Sequence, residues 1–284
     1  MRSTGWHVTE DVEEFLARAG DFLRARPAPH TVALTVTEAL RTSGPRAYGP
    51  QAPVFGWLER AGEVHGAFFR TPPRRVNITP LTPEDADALA AHLAGAGHPL
   101  PGVIAPRDTA TAFAEGWRRH TGATPRLHER ERLYRLGTLT PPDPLPEGRS
   151  RVADEQDRER LMRWHTEFAA AIGSSTPADP GAWADTRIAE GRVTLWETPD
   201  GTPVSMAGRT PLVAGQIRVA PVYTPAHLRG RGYAGAATAE ASRAALAAGA
   251  AQVLLFTNLA NPTSNALYQR IGYRPVMDFA VYDF

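Results

Sequence analysis

The chain has 284 residues, with 31 basic against 30 acidic side chains and a formal net charge of +1. That balance gives no electrostatic case for nucleic acid or an anionic membrane. Zero cysteine excludes a disulfide scaffold, thiol catalysis and cysteine metal ligands, and no segment holds the ~20 uninterrupted apolar residues that span a bilayer.

In chain order, Glu10, Asp11, Glu13 and Glu14 come early and no apolar stretch precedes them, so the start does not read as a signal peptide. A cytoplasmic protein is expected. Residues 8–25 carry helical spacing through Val12, Phe15, Leu16, Phe22 and Leu23. Residues 31–36 read as a strand. The runs 54–58 and 64–70 pair as a hairpin across Arg60, Ala61 and Gly62. A helix opens at Thr82-Pro83-Glu84-Asp85 and ends near Gly95. A strand at 103–105, a helix at 108–120 and a strand at 129–136 complete the first half.

Prolines at 141, 142, 144 and 146 mark residues 141–149 as a linker. The same alternation then recurs. Residues 154–171 and 180–190 read as helices, and 193–196 and 204–213 as strands. A strand at 216–225, a helix at 235–248, a strand at 252–257, a helix from Asn261 to Gly272 and a strand at 280–282 follow. The expected architecture is two α/β lobes in tandem, 1–140 and 150–284, each a mixed, mostly antiparallel sheet flanked by helices.

The most informative stretch is Arg229-Gly230-Arg231-Gly232-Tyr233-Ala234-Gly235, between a strand and an alanine-rich helix. Glycines at a helix start let backbone N–H groups close on an anion, and the helix dipole adds positive potential there. It is not a P-loop, since no Gly-Lys-Ser/Thr follows and the chain lacks lysine. A formal Gly-x-Gly-x-x-Gly match exists, but it lies late in the chain with no acidic residue about twenty positions on. The helix after the next strand has Asn261 as N-cap, Pro262 at its first position and Gly272 past its end. Leu267 and Ile271 are placed to face a core, while Ser264 and Tyr268 lie on an adjoining face.

Here the chain resembles the GNAT superfamily of acyl-CoA-dependent N-acyltransferases. Arg229-x-x-Gly232-x-Ala234 fits that family's pyrophosphate loop. Asn261-x-x-Ser264-x-x-Leu267-Tyr268-x-x-x-Gly272-Tyr273 fits its following helix, and 253–257 the strand between. The resemblance covers about 193–284. It implies an acetyl-CoA-dependent N-acetyltransferase working by direct attack in a ternary complex. The alternative is a catalytically quiet acyl-CoA-binding or regulatory module.

By position in the family, Val222 N–H polarises the thioester carbonyl, and Val222, Tyr223 and Thr224 line the pantetheine arm. Pro221 cannot donate to a ladder and suggests an edge or a bulge in this strand. Residues 229–235 hold the diphosphate, with Asn261 and Ser264 as further CoA contacts. Tyr268 is the candidate general acid, although tyrosine on a helix is more often a packing residue. For the base, Glu167 is the candidate, beside His165, near the helix break at Ile172-Gly173-Ser174; a water chain is the alternative. The nine histidines show no His-x-x-x-His spacing, and no metal is expected. The first lobe's Pro83-Glu84-Asp85 helix start would repel a diphosphate, so that lobe reads as one without a cofactor site. The partner is an amine acceptor of unread identity, with no nucleic acid and no membrane, and the protein is a monomer or homodimer.

Overall fold

In the computed structural model, which describes residues 5–97, 99–173 and 179–284, the first half runs β1 (Gly5–Thr9), α1 (Val12–Ala25), α2 (Thr31–Ser43), β2 (Val54–Arg60), β3 (Glu63–Arg70), β4 (Val76–Ile78), α3 (Pro83–Gly95), β5 (Gly102–Pro106), α4 (Arg107–Thr121) and β6 (Arg126–Leu136). The hairpin reverses through Ala61 and Gly62, both at positive φ, a backbone that suits a two-residue β-turn. Strands β1 to β4 pair antiparallel in sequence order, and β4 then pairs parallel with β5 across α3. Alternation along β3 sends successive phenylalanines to opposite faces. Phe68 joins Leu89, Phe113 and Trp117 under α3 and α4. On the neighbouring strand Phe55 stacks on Phe15 of α1 at 5.0 Å.

Residues 31–36, read as a strand, form the first turns of α2. The β-branched run is helical because its hydroxyls bond back within the helix: Thr35 Oγ1 donates to Thr31 O at 2.9 Å and Thr37 Oγ1 to Ala33 O at 2.8 Å. Tertiary burial of Ala33, Leu34 and Leu40 outweighs the weak strand preference.

The second half runs β7 (Arg149–Val152), α5 (Arg158–Ala171), α6 (Pro180–Ala189), β8 (Val193–Glu197), β9 (Pro203–Arg209), β10 (Gln216–Tyr223), α7 (Tyr233–Ala247), β11 (Gln252–Asn258), α8 (Pro262–Arg270) and β12 (Tyr273–Asp283). The strands β7 to β10 pair antiparallel in order, and β10 pairs parallel with β11 across α7. One sheet face buries Leu161 and Trp164 of α5 and Ala184 of α6 against Val193, Leu195 and Met206. The other carries α7, whose buried Ala236, Ala237, Ala241 and Ala245 let the helix lie close on Val219, Val253 and Leu255. Thus the alternation read in both halves is a repeated topology: an antiparallel meander that ends in a parallel strand–helix–strand unit. Both lobes are mixed α/β layers with mostly antiparallel sheets.

The contacts divide the chain less simply than a cut at 140–150. One unit comprises Met1–Leu133, Thr257–Asn261 and Val276–Phe284, the other Tyr134–Phe256 and Pro262–Pro275. The reason is pairing: β12 lies antiparallel to β5, from Phe279 opposite Pro106 to Asp283 opposite Gly102. Arg75 and His128 then hold Asp283, at 2.8 and 3.1 Å. The proline-rich stretch is also no free spacer. Thr140 N–H donates to Ile271 O at 3.1 Å, and Glu147 O accepts from Trp196 Nε1 at 3.2 Å.

The start of α5 is fixed by charge. Arg151 on β7 bonds both Asp157, just before α5, and Glu197 on β8, and Arg160 adds a bond to Asp157 at 2.8 Å. Burial alone would push the Asp157 carboxyl up, but the Arg151 hydrogen bond and both guanidinium charges hold it below its ordinary value. The hydrogen bond from Arg151 likewise holds Glu197 down. Carboxyls depressed on folding contribute stability in full above their unfolded values near ~4, and lose it as pH falls through the lower folded values. Arg151→Met should therefore destabilise the protein by roughly 1.5–3 kcal/mol at neutral pH, the range for a lost hydrogen bond to a charged group, because two buried carboxylates lose their shared partner and keep only Arg160 and Arg149. Denaturant unfolding at several pH values checks this; the gap between variant and wild type should narrow below pH ~4.

Candidate functional site

The centre of the site is an irregularity in β10. Val219 lies opposite Arg209 and Val222 opposite Ala207, so three steps on β10 match two on β9. That is a β-bulge at Ala220 and Pro221, where the missing proline N–H suggested one. On its other side β10 pairs with β11 at Gln216, Ile217 and Arg218. Beyond Arg218 the register ends, while β10 continues to Tyr223. The two parallel strands part and leave a wedge.

The direction of the backbone groups in that wedge follows from the ladder. Arg209 N–H donates to Arg192 O, on the β8 side, and Thr210 N–H to Arg218 O, on the β10 side. Alternation then turns Met206 toward β10, and its partner Tyr223 toward β9. Val222, between bulge and Tyr223, turns its N–H and C=O away from β9 into the wedge. Its side chain packs against the cluster that holds Tyr268.

Gly208 makes this geometry possible, and the sequence reading passed over it. A β-carbon at 208 would lie 2.7 Å from Ala220 O and 3.0 Å from Pro221 Cδ. A glycine inside a strand is the available signal for close backbone approach. Thr224 closes the strand end: its Oγ1 lies 2.8 Å from Ser205 Oγ, and its carbonyl accepts from Arg229 Nε at 3.0 Å.

The loop that follows is exposed at Arg229, Gly230, Arg231 and Gly232. Gly230 and Gly232 have φ of 78° and 83°, a left-handed backbone that costs glycine nothing. Because Gly232 is the left-handed cap, α7 starts at Tyr233 rather than at Gly235. No side chain caps this helix and no acidic residue occupies its first turn. The N–H groups of Tyr233, Ala234 and Gly235 therefore lack intrahelical acceptors and gather the positive end of the dipole. Gly235 is buried, and a β-carbon there would press on Leu267 of α8 at 3.2 Å. By contrast, the first unit's α3 has its own Thr82 cap accepting from Asp85 N–H, with Glu84 and Asp85 in the first turn and Asp85 ion-paired to Arg60.

On α8, Tyr268 is the buried residue, only 8 % exposed, in the core cluster with Ile271 and Tyr273. Its ring meets Tyr273 edge-on, with centroids 6.2 Å apart. The expected hydroxyl-presenting face is therefore mostly an inward one; Leu267 is only half-buried, and Ser264 likewise. Burial raises the Tyr268 phenol to about 12, so it stays protonated. Tyr134 Oη, donating to Asn265 Oδ1 at 2.8 Å and accepting from Gln269 Nε2 at 3.1 Å, ties the helix to the end of β6. Asn261, at the exposed start before Pro262, falls in the first unit's share of the chain.

Across the sheet, on the α5 face, Tyr223 Oη donates to Glu167 Oε2 at 2.7 Å. Burial, then the bond to Glu167 and its charge, raise the Tyr223 phenol to about 12. Glu167 is exposed and lines an open groove with Glu159, Met162, Arg163, Thr166 and Pro180. His165 turns elsewhere: its ring stacks on Trp183 of α6 at 3.9 Å. Burial and the Arg187 charge push it down to about 4, which leaves it neutral and a poor base. Ser174, part of the helix break expected near these residues, lies outside the described residues. Among the described residues no His, Asp and Glu group is arranged to hold a metal ion, and no helix is long and apolar enough to cross a membrane.

No family model matches the chain, and no curated protein matches it. Solved structures do. A GCN5-related N-acetyltransferase from Sphaerobacter thermophilus aligns over 98 % of this chain and 94 % of its own, at 16 % identity and TM-score 0.63. An acetyltransferase of the GNAT family from Colwellia psychrerythraea aligns over 98 % and 99 %, at 12 % identity and TM-score 0.59. A tandem GNAT protein from the clavulanic acid biosynthesis pathway aligns over 98 % and 97 %, at 12 % identity and TM-score 0.58. At these identities the likeness is one of fold. The chain has the GNAT fold, with two such lobes in tandem.

If Gly208 is what admits the bulge, Gly208→Ala should destabilise the protein by about 1–3 kcal/mol, the range for forcing an extra carbon into a packed site. Urea unfolding measures it, with Gly95→Ala as control, since a β-carbon at 95 meets nothing within 4 Å. Equal stability of the Gly208 variant and wild type would mean that β10 accommodates a side chain there.

Proposed function

We propose that the protein is an N-acetyltransferase that moves an acetyl group from acetyl-CoA to an amine acceptor by direct attack in a ternary complex. The observation that carries the reading is the parting of β10 from β11 after Arg218, which turns Val222 N–H into a wedge that leads to the uncapped start of α7. An extended pantetheine arm needs unpaired strand backbone, and a diphosphate needs free N–H groups. Both lie consecutively along one stretch, 222–235.

In this reading Val222 N–H hydrogen-bonds the thioester oxygen and stabilises the charge that develops there. Val222, Tyr223 and Thr224 supply backbone along the arm. Arg229, Gly230, Arg231, Gly232, Tyr233, Ala234 and Gly235 hold the diphosphate, through the amides of the α7 first turn and the local positive charge. Ser264 approaches the same arm from the first turn of α8. Tyr268 donates a hydrogen bond to the departing sulfur. A phenol held near 12 is a weaker acid than a thiol near ~8.5, so it stabilises the thiolate more than it protonates it. Glu167 accepts the proton released by the amine. The first unit, with carboxylates at the start of α3, is not a CoA site.

The diphosphate assignment is tested at Gly232. Asn and Asp tolerate its left-handed backbone similarly and differ mainly in charge. Gly232→Asp should bind acetyl-CoA at least about tenfold more weakly than Gly232→Asn, a Coulombic difference beside a phosphate. Titration calorimetry giving equal affinities would move the diphosphate elsewhere.

Tyr268→Phe should lower kcat by between about ten- and a thousandfold with acetyl-CoA affinity nearly unchanged, because the hydrogen bond matters as the C–S bond breaks. Thiol release under saturating acetyl-CoA measures it. Normal turnover with a lowered Tm would leave Tyr268 as packing alone.

A further inference from the structure

Tyr223 is set apart from the rest of β10. Its backbone pairs with Met206, but its side chain crosses the α5 face through Leu161, Trp164 and Met206 to end on Glu167. It follows directly on Val222, whose N–H faces the wedge. A group bound at the Val222 amide therefore has, one residue away, a phenol whose oxygen is already committed to a carboxylate. The hydroxyl donates its single proton to Glu167, and with the Arg229 guanidinium also beside it it keeps one further lone pair to accept from a third group. Glu167 is exposed on an open groove, so a proton delivered to it passes to water. The Tyr223 side chain thus links the wedge strand to an exposed carboxylate at the rim of the groove.

We infer that Tyr223 touches the acceptor amine and relays its proton to Glu167, so that the acceptor enters from the α5 groove while CoA lies in the wedge. The inference rests on the transferase reading. The neutral amine nitrogen bonds to the thioester carbon and becomes cationic. Its proton moves to Tyr223 Oη as the Tyr223 proton moves to Glu167 Oε2. The C–S bond breaks, its electron pair leaves on the CoA sulfur, and Glu167 returns the proton to water through the groove. The products are an amide, the CoA thiolate and one proton. Tyr223 thus acts through its side chain on the acceptor as well as through its backbone on CoA.

The test uses Tyr223→Phe, Glu167→Gln and the double variant of the full chain. Acetyl-CoA affinity is measured by calorimetry, and thiol release with n-butylamine, cadaverine, glycine amide and glucosamine as probes. Phe keeps the packing, and Gln keeps an oxygen to accept from Tyr223 but cannot take the proton. Each single variant should lose at least about tenfold in kcat, as removal of acid–base help does, with acetyl-CoA Kd within about twofold and Tm nearly unchanged. The double variant should be no slower than the slower single one, because two members of one relay fail together. Independent, multiplying losses would overturn the relay, and so would full activity of either single variant. A large change in acetyl-CoA Kd for Tyr223→Phe would return that side chain to the cofactor. Tight acetyl-CoA binding by the wild type with no thiol release from any of the four amines would remove the transferase reading, and the relay with it.

Discussion

The site depends on a strand that stops pairing. A parallel ladder between β10 and β11 would consume the amides of both strands, and no ligand could reach a main-chain donor. The bulge at Ala220 and Pro221, lodged over Gly208, shifts the register against β9 by one residue, and β10 leaves β11 after Arg218. Unpaired backbone inside a sheet is costly unless water or a ligand meets it. Here it is concentrated on one side of one strand. The two packed faces keep the distorted strand in place: Val219 sits under α7, and Tyr223 under α5.

Electrostatics separates the two lobes more sharply than topology does. Both carry a parallel strand–helix–strand unit after an antiparallel meander, with α3 in one and α7 in the other. The start of α3 is internally satisfied, by Thr82 on the Asp85 amide and by Arg60 on the Asp85 carboxylate. The start of α7 has neither a capping side chain nor an acid. An anion would meet two carboxylates at the first and a set of unpaired N–H groups at the second. Repetition of the fold thus leaves the two helix starts electrostatically opposite.

Much of this was legible in the residues, for identifiable reasons. Turn and cap chemistry is local, so Ala61-Gly62, Thr82-Pro83 and the 229–235 loop could be placed without knowing the fold. Pro221 pointed to an edge or a bulge because a missing N–H cannot be hidden in a ladder. The strand read at 31–36 failed because threonine's strand preference is weak and its hydroxyl has an intrahelical acceptor, which only tertiary burial makes decisive. β4 and β7, of three and four residues, carry too few positions for alternation to register. The burial of Tyr268, on a face adjoining that of Leu267 and Ile271, is not readable from periodicity, which fixes a helix's angle only coarsely. The pairing of Tyr223 with Glu167 joins residues 56 apart in sequence, and no local pattern encodes such a contact.

That Val276–Phe284 belongs to the first unit also bears on how the protein is made. The antiparallel partner of β5 is the stretch from Phe279 to Asp283, which leaves the ribosome only after β7 to β11 have been made. Until it emerges, β5 has on that side an open row of N–H and C=O groups, although the rest of its own lobe was synthesised long before. An unpaired strand edge invites other chains, so the nascent first lobe keeps that edge open while the strands of the second are synthesised. The proline-rich stretch at 138–148 offers a place to divide the gene, but such a division would hand that edge to the first fragment permanently.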